Sequence, residues 1–195
     1  TVETDGISEE LGFESGMDGT ELKITTREHL WRINNVGIGT IYIYIPNDLT
    51  LDDISMKLGA GNLYIEEIHA NEMSVDAGTG EAVLQNVQAQ KMGLQCGVGN
   101  IAGSGCAAEE LDADVGVGSL EFTLTGPEEN YDYDISVGVG EVRCGQEDFS
   151  GLGARKEIDN HAGRLIKIDC GAGSAVIDFD GIGHMERKEE HHNGY

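Results

Sequence analysis

The sequence predicts a single-domain, all-β solenoid, a stack of coils of about nineteen residues with two short strands in each coil. Three observations predict this fold. A Gly-x-Gly spacing recurs along the chain, and apolar residues alternate with polar ones on both sides of it. No segment holds an apolar period of 3.6 residues over three helical turns, so no helix is expected.

The Gly-x-Gly spacing sets the period of the stack. The strong copies start at Gly59, Gly78, Gly97, Gly116, Gly138 and Gly171, and a weaker copy starts at Gly37. The first four strong copies start 19 residues apart, and the next steps are 22 and 33 residues. Because the apolar phase shifts by one residue at each copy, we expect a sharp bend or bulge there. Glycine suits such a bend because it adopts dihedral angles that other residues avoid.

The positions around each copy predict the interior. Three residues before the first glycine, the copies place Met56, Val75, Leu94, Ala113, Ile135 and Ile168. Apolar residues also predominate one residue before that glycine, between the two glycines, and four and six residues after the first one. One coil cannot bury its apolar side alone, so like positions of successive coils are expected to stack into ladders around a dry core.

The repeats divide the chain into three parts. We expect residues 1–20 to form a lead-in or cap, residues 21–183 to form the solenoid, and residues 184–195 to form a flexible polar tail. Residues 149–164 lengthen the last step between copies and are interpreted as an insertion. Residues 148–155 within this region have the composition of a loop, with a short hairpin after it.

Two more strands are predicted before the strong copies. They cover residues 21–26 (ELKITT) and residues 40–45 (TIYIYI), and Pro46 ends the second because proline cannot donate a ladder hydrogen bond. The end coils of such a stack expose strand edges. Edge-strand self-association is therefore expected unless caps cover those edges.

Charge limits the partners. The chain has 36 acidic and 12 basic residues, a formal charge of −24. This charge repels nucleic-acid phosphates and anionic lipid headgroups, and it suits cations or basic surfaces. No run of 18 apolar residues is present, so no direct membrane insertion is expected in this segment. The chain starts at Thr1 without a leader-like segment, which is typical of a chain whose leader or anchor has been removed.

No motif predicts catalytic, cofactor-binding or metal-binding residues. The Gly-x-Gly copies lack the third glycine of a dinucleotide fingerprint and open no helix. Cys96, Cys144 and Cys170 fall in inward columns, where cysteine packs as a small apolar residue. Stacking in chain order separates Cys96 from Cys170 by three layers, about 14 Å, which is too far for a disulfide. Free thiols are therefore expected at these positions and at Cys106.

Acidic clusters raise the question of calcium. They comprise Asp52 with Asp53, Glu66 with Glu67, residues 109–114 and residues 128–134. Calcium takes six to eight oxygen ligands, and the nonapeptide repeat of calcium-binding solenoids is absent. A diffuse cation atmosphere is expected instead. The tail sequence EEHH at residues 189–192 is expected to bind transition metals only opportunistically.

The repeat resembles the toast-rack family of adhesin-like bacterial domains of unknown function. The resemblance rests on IYIYIP at residues 41–46 and on units such as MSVDAGTGEAVL at residues 73–84, and it extends over residues 21–180. It implies a right-handed β-helix-like fold. It also implies frequent placement on the bacterial envelope, often beside a membrane segment or a stress-sensing system. The family supplies no catalytic residues.

These features favour a non-enzymatic structural or interaction module on the outer side of the bacterial envelope, with an unidentified protein or envelope polymer as its partner. A competing hypothesis is a β-helical enzyme that processes polysaccharides. Such an enzyme needs basic residues on one strand face, and only Lys57 and Arg143 occupy the outward strand columns. Two more hypotheses are a cation-binding surface protein and a crystal-binding solenoid, which needs a uniform flat ladder of one residue type.

Overall fold

The computed structural model describes residues 1–7, 12–26, 39–150 and 153–181. The chain divides into two compact units, residues 1–46 and residues 47–195. Strands dominate both units, and a 3-10 turn occupies Glu128–Asn130. The all-β prediction is confirmed. No helix among the described residues has the length and apolar character needed to span a membrane.

The first unit consists of two antiparallel strand pairs. Strand β1 (Val2–Asp5) pairs with β4 (Thr40–Ile43), and β2 (Glu14–Asp18) pairs with β3 (Glu21–Thr25). The sequence placed the start of the solenoid at residue 21, but β3 lies in a hairpin with largely exposed side chains and has no parallel neighbour among the described residues. The start of the weak copy at Gly37 and the tail from residue 184 lie outside the described residues.

The second unit forms one sheet that winds into a stack. In the described residues its strands are β5 (Thr50–Leu58), β6 (Asn62–Ala77), β7 (Glu81–Cys96), β8 (Asn100–Val115), β9 (Ser119–Leu124), β10 (Asp132–Val137), β11 (Glu141–Cys144), β12 (Glu147–Ser150), β13 (Ala154–Ile158), β14 (Leu165–Cys170) and β15 (Ser174–Phe179). Strands β5, β6, β7 and β8 pair successively in parallel, mostly with a 19-residue offset. The predicted solenoid is confirmed, and its parallel stack begins at Thr50.

The predicted ladder forms the dry interior. Met56 pairs with Val75, Val75 with Leu94, and Leu94 with Ala113, in adjacent layers. Val75, Leu94 and Ala113 are each 0 % exposed. Such burial is the main stabilising contribution of a solenoid, because no single coil has a core of its own.

The Gly-x-Gly turns are glycine for a reason that the sequence did not show. A Cβ at Gly99 would lie 2.0 Å from the carbonyl oxygen of Gly80, and a Cβ at Gly118 would lie 2.0 Å from that of Gly99. Of the turn glycines that start or end a strong copy, only Gly61 has a positive φ, 118°. Close approach between layers, and not an unusual dihedral angle, therefore excludes side chains here.

The residue between the two glycines faces solvent, which corrects its assignment to the interior. Val98 and Val117 are each 64 % exposed, and Val139 is 63 % exposed. The main chain of these turns continues the ladder. The Val98 amide donates to the Gly78 carbonyl at 2.7 Å, and the Val117 amide donates to the Gly97 carbonyl at 2.8 Å.

A second corner divides the long strands. Glu67 in β6 and Asn86 in β7 both have a φ of 53°, and each follows another exposed residue, so the alternation of buried and exposed side chains changes phase there. Strand β8 lacks this corner residue, because Val87 pairs with Gly105, only 18 residues later. The coils of β6 and β7 therefore combine a glycine corner with a corner that carries no glycine signature.

The order of coils in the stack differs from their order in the chain. Strand β14 pairs with β8 on one side and with β10 on the other, and β15 lies likewise between β9 and β11, all in parallel. The last coil is therefore inserted between the coils that start at Gly116 and Gly138. As a result Cys170 lies two layers from Cys96, about 10 Å, and not the three layers expected from chain order.

The insertion at residues 149–164 covers one end of the stack. Strand β12 pairs antiparallel with β11, and β13 pairs antiparallel with β10. The expectation of a loop over residues 148–155 is wrong for the described part, since β12 and β13 take up most of it. Phe149 is 8 % exposed, and Lys156 lies over its ring at 5.1 Å while its Nζ bonds Glu147 at 2.9 Å.

Candidate interaction surface

The two ends of the second unit are unlike. The end that carries β12 and β13, called the sealed end, finishes in two short strands that pair antiparallel and bear charged side chains. At the other end, called the open end, β5 pairs only with β6, and residues 62–66 of β6 pair only with β7. Neither segment has a second strand neighbour among the described residues, so both present free main-chain groups.

The interior is also less covered at the open end. Ile54, Met56 and Leu58 of β5 point toward the ladders but are only half-buried. Their partners one layer inward, Met73, Val75 and Ala77, are 2 %, 0 % and 0 % exposed. An apolar layer that stays partly open beside an unpaired strand is the arrangement that accepts another strand.

An acidic rim surrounds the open end. Asp52, Asp53, Glu66 and Glu67 are all exposed there, and Lys57 is the one basic residue of β5. Asp52 accepts a hydrogen bond from the Asn71 side chain at 3.2 Å. The rim therefore presents several carboxylates around an apolar and unpaired edge.

A shallow groove of about 260 Å³ crosses the outer face of β5, β6, β7 and β8. It exists because Gly93 places no side chain between Ser74 and Asp112 in the outward column. Lys91 borders it, in register with Glu72 on one side and with Glu110 on the other. The groove thus presents one ammonium group and several carboxylates to solvent.

A charge network continues from the groove. Glu110 forms an ion pair with Lys167 of β14, and this hydrogen bond raises the pKa of Lys167. Burial raises the pKa of Asp112, and repulsion from Asp114 adds to the effect. Within the described residues no three His, Cys, Asp or Glu side chains are arranged to hold a metal ion.

The cysteines lie where the column pattern predicts. All four are free thiols, with Cys96, Cys144 and Cys170 buried and Cys106 half-buried. Burial raises the pKa of Cys96, of Cys144 and of Cys170 above the usual thiol value. A thiol with a raised pKa holds little thiolate at neutral pH and reacts slowly.

We therefore expect iodoacetamide to modify Cys106 first in the folded protein at pH about 7.5. The three buried thiols should react at least about tenfold more slowly, because access and thiolate fraction are both reduced. Peptide mass spectrometry over time measures each rate. In denaturant all four cysteines should react alike, and a folded-state rate for Cys96 equal to that of Cys106 would contradict the assignment.

The histidines are not brought together. His69 lies half-buried in β6, and the His161 Nδ1 lies 2.7 Å from Asp159 Oδ1 in an exposed turn with a φ of 57°. The remaining histidines, apart from these two, lie outside the described residues, and they include those of the tail at residues 189–192. The open end was not foreseen as the site, because its position depends on which strands lack a neighbour.

The comparison with known families covers most of the chain. Residues 6–143 match the family described as Toastrack DUF4097, a family of unknown function. No curated protein and no solved structure matches the chain. The match includes the glycine-cornered coils from β5 to β11, and the chain belongs to the Toastrack family.

Proposed function

We propose that this chain is a non-enzymatic interaction module of the bacterial cell envelope, and that it binds a basic partner protein by strand addition at the open end. The observation that carries the proposal is the contrast between the two ends of the stack. One end is covered by β12 and β13, while the other leaves β5 and residues 62–66 without a second neighbour among the described residues.

Strand addition follows from the chemistry of the open end. The free amide and carbonyl groups of β5 are available to pair with an extended segment, and alternate side chains of that segment would reach the half-buried Ile54, Met56 and Leu58. A partner strand with apolar residues at alternate positions would complete this layer. Main-chain hydrogen bonds would supply affinity, and the apolar side chains would supply the register.

Charge favours a basic partner over a second copy of the chain. Two copies that met at their open ends would bring together the carboxylates of Asp52, Asp53, Glu66 and Glu67 from both molecules. The formal charge of −24 on each chain adds long-range repulsion. A segment with lysine or arginine at its outward positions would meet the acidic rim with opposite charge.

The envelope location in this proposal rests on the family resemblance and on the strongly acidic sequence. An acidic, repetitive rod is suited to hold a binding edge away from an anionic surface. The outer side of the envelope is the proposed site of action, with an anchor or leader supplied by a segment outside this sequence.

We expect a short synthetic peptide of alternating lysine and valine to bind the folded chain, with an affinity that falls as salt rises. The open-end double variant Asp52→Lys and Asp53→Lys should bind about tenfold more weakly. The sealed-end double variant Glu141→Lys and Glu157→Lys makes the same change in net charge and should bind like the wild type. Titration calorimetry measures the three affinities.

Hydrogen exchange distinguishes strand pairing from diffuse charge attraction. With the peptide bound, amides in residues 50–58 and 62–66 should exchange more slowly, and those of β12 and β13 should not change. Equal weakening of both double variants, or no protection at the open end, would refute strand addition. Concentration-dependent dimerisation with the same protection would show that the occupant is a second copy, which contradicts the basic partner proposed here.

A further inference from the structure

The inserted coil, residues 165–179, is the connection between two parts of the stack. Its strand β14 joins β8 to β10, and its strand β15 joins β9 to β11. Strands β10 and β11 have no direct strand pairing with β8 or β9 in the described residues. The sealed end therefore depends on the inserted coil for its strand pairing to the rest of the stack.

Chain order makes this arrangement unusual. When residues up to 144 are present, the edges of β8 and β9 are free, and β10 and β11 have the same apolar columns as the coil that finally occupies those edges. The family match also ends at residue 143, before the inserted coil begins. The native order therefore requires β10 and β11 to stay apart from β8 and β9 until residues 165–179 enter between them.

Charge in one outward column favours the native order. Lys167 of β14 lies in register with Asp112 on one side and Asp134 on the other. Direct pairing of β10 with β8 in the same register would place Asp134 opposite Asp112, and like charges opposite each other destabilise a sheet. The next column does not favour insertion, because Asp169 lies opposite Asp114.

Further contacts hold the inserted coil at both of its edges. Lys167 forms an ion pair with Glu110 of β8, and Asp178 forms a bidentate pair with Arg143 of β11 at 2.7 and 3.2 Å. The Phe179 ring packs against Tyr131 and Tyr133, at centroid distances of 5.6 and 6.4 Å.

We infer that the inserted coil and strands β10–β13 open and close as one cooperative segment, separately from β5–β9, and that the inserted coil enters the stack last. The segment cannot open piecemeal, because displacing β14 and β15 removes the parallel partners of β10 and β11. Strands β6, β7 and β8 keep their mutual pairing when this happens. The open form exposes the edges of β8 and β9, so this is a built-in conformational device.

Native-state hydrogen exchange of the full chain, read by mass spectrometry, tests this inference. Amides of β10, β11, β14 and β15 should share one opening rate, faster than that of β6 and β7. The variant Lys167→Glu should raise this shared rate at least about fivefold, because it adds a like charge between Asp112 and Asp134. It should leave β6 and β7 unchanged.

Two further variants complete the experiment. Lys57→Glu makes the same charge change in β5 and should affect only the open end. If Lys167→Glu does not fold, Asp178→Asn removes the ion pair to Arg143 and should accelerate the same four strands together. Independent exchange of β14 and β15 from β10 and β11, opening of the whole stack at a single rate, or no response to either variant would overturn the inference.

Pulse-labelled refolding of the wild type tests the order of entry. Residues 165–179 should gain protection after residues 62–115, and in the same phase as residues 132–144. Protection of residues 132–144 in an earlier phase than residues 165–179 would show that the inserted coil does not close the stack as inferred.

Discussion

Gly118→Ala is expected to lower the free energy of unfolding by about 3 kcal/mol or more, because it forces main chain in adjacent layers apart. The added Cβ would lie 2.0 Å from the Gly99 carbonyl oxygen and 2.7 Å from the Cys96 sulfur. Neither contact ends in a flexible side chain that could move aside cheaply. The shift would have to pass into the neighbouring turns, because each turn is hydrogen-bonded to the next.

Gly93→Ala is the matched control for this substitution. The site lies in β7 of the same stack, and the nearest atom to a new Cβ is 3.9 Å away. An alanine there should be neutral or stabilising by up to about 1 kcal/mol, since it reduces the freedom of the unfolded chain. Urea unfolding followed by circular dichroism measures both values. Equal stability of the two variants would show that the turns do not approach as closely as described.

Leu94→Ala is expected to cost about 2–5 kcal/mol, the range for removing a buried leucine side chain from a packed core. Leu94 is 0 % exposed and lies between Val75 and Ala113 in the central ladder. The neighbours belong to hydrogen-bonded layers that cannot collapse into the cavity without breaking register. The cost should therefore fall in the upper part of that range.

Val98→Ala serves as the comparison for the ladder variant. Val98 is 64 % exposed at a glycine corner, so its truncation should change stability by less than about 0.5 kcal/mol. Both variants are measured by the same urea titration. A cost for Val98→Ala equal to that of Leu94→Ala would mean that the corner residues, and not the ladder, face the interior.

The repeat and the ladder could be predicted because they leave a local signal. Backbone approach at Gly99 and burial at Leu94 both recur every 19 residues, so the spacing of glycines and apolar residues reports them directly. The exposed Val98 was misassigned because an apolar residue between two glycines looks like part of the interior pattern. Its direction depends on the turn geometry, which the pattern does not contain.

The order of the coils could not be predicted from periodicity. All coils share the same inward columns, so β10 and β14 are equally suitable partners for β8 by hydrophobic pattern alone. The distinguishing signal is the charge of Lys167 between Asp112 and Asp134, which becomes visible only once the register is known. The open end depends in the same way on tertiary pairing, since β5 has no sequence feature that marks it as an edge.

Methyl–methyl NOEs in selectively labelled protein test most directly whether like positions occupy successive layers in this order. The account predicts strong NOEs along the ladder from Val75 to Leu94, Leu94 to Ala113, Ala113 to Ile168 and Ile168 to Ile135. It predicts none between Ala113 and Ile135, which lie two layers apart, about 10 Å. A direct Ala113–Ile135 NOE, with Ile168 remote from both, would contradict the inserted order.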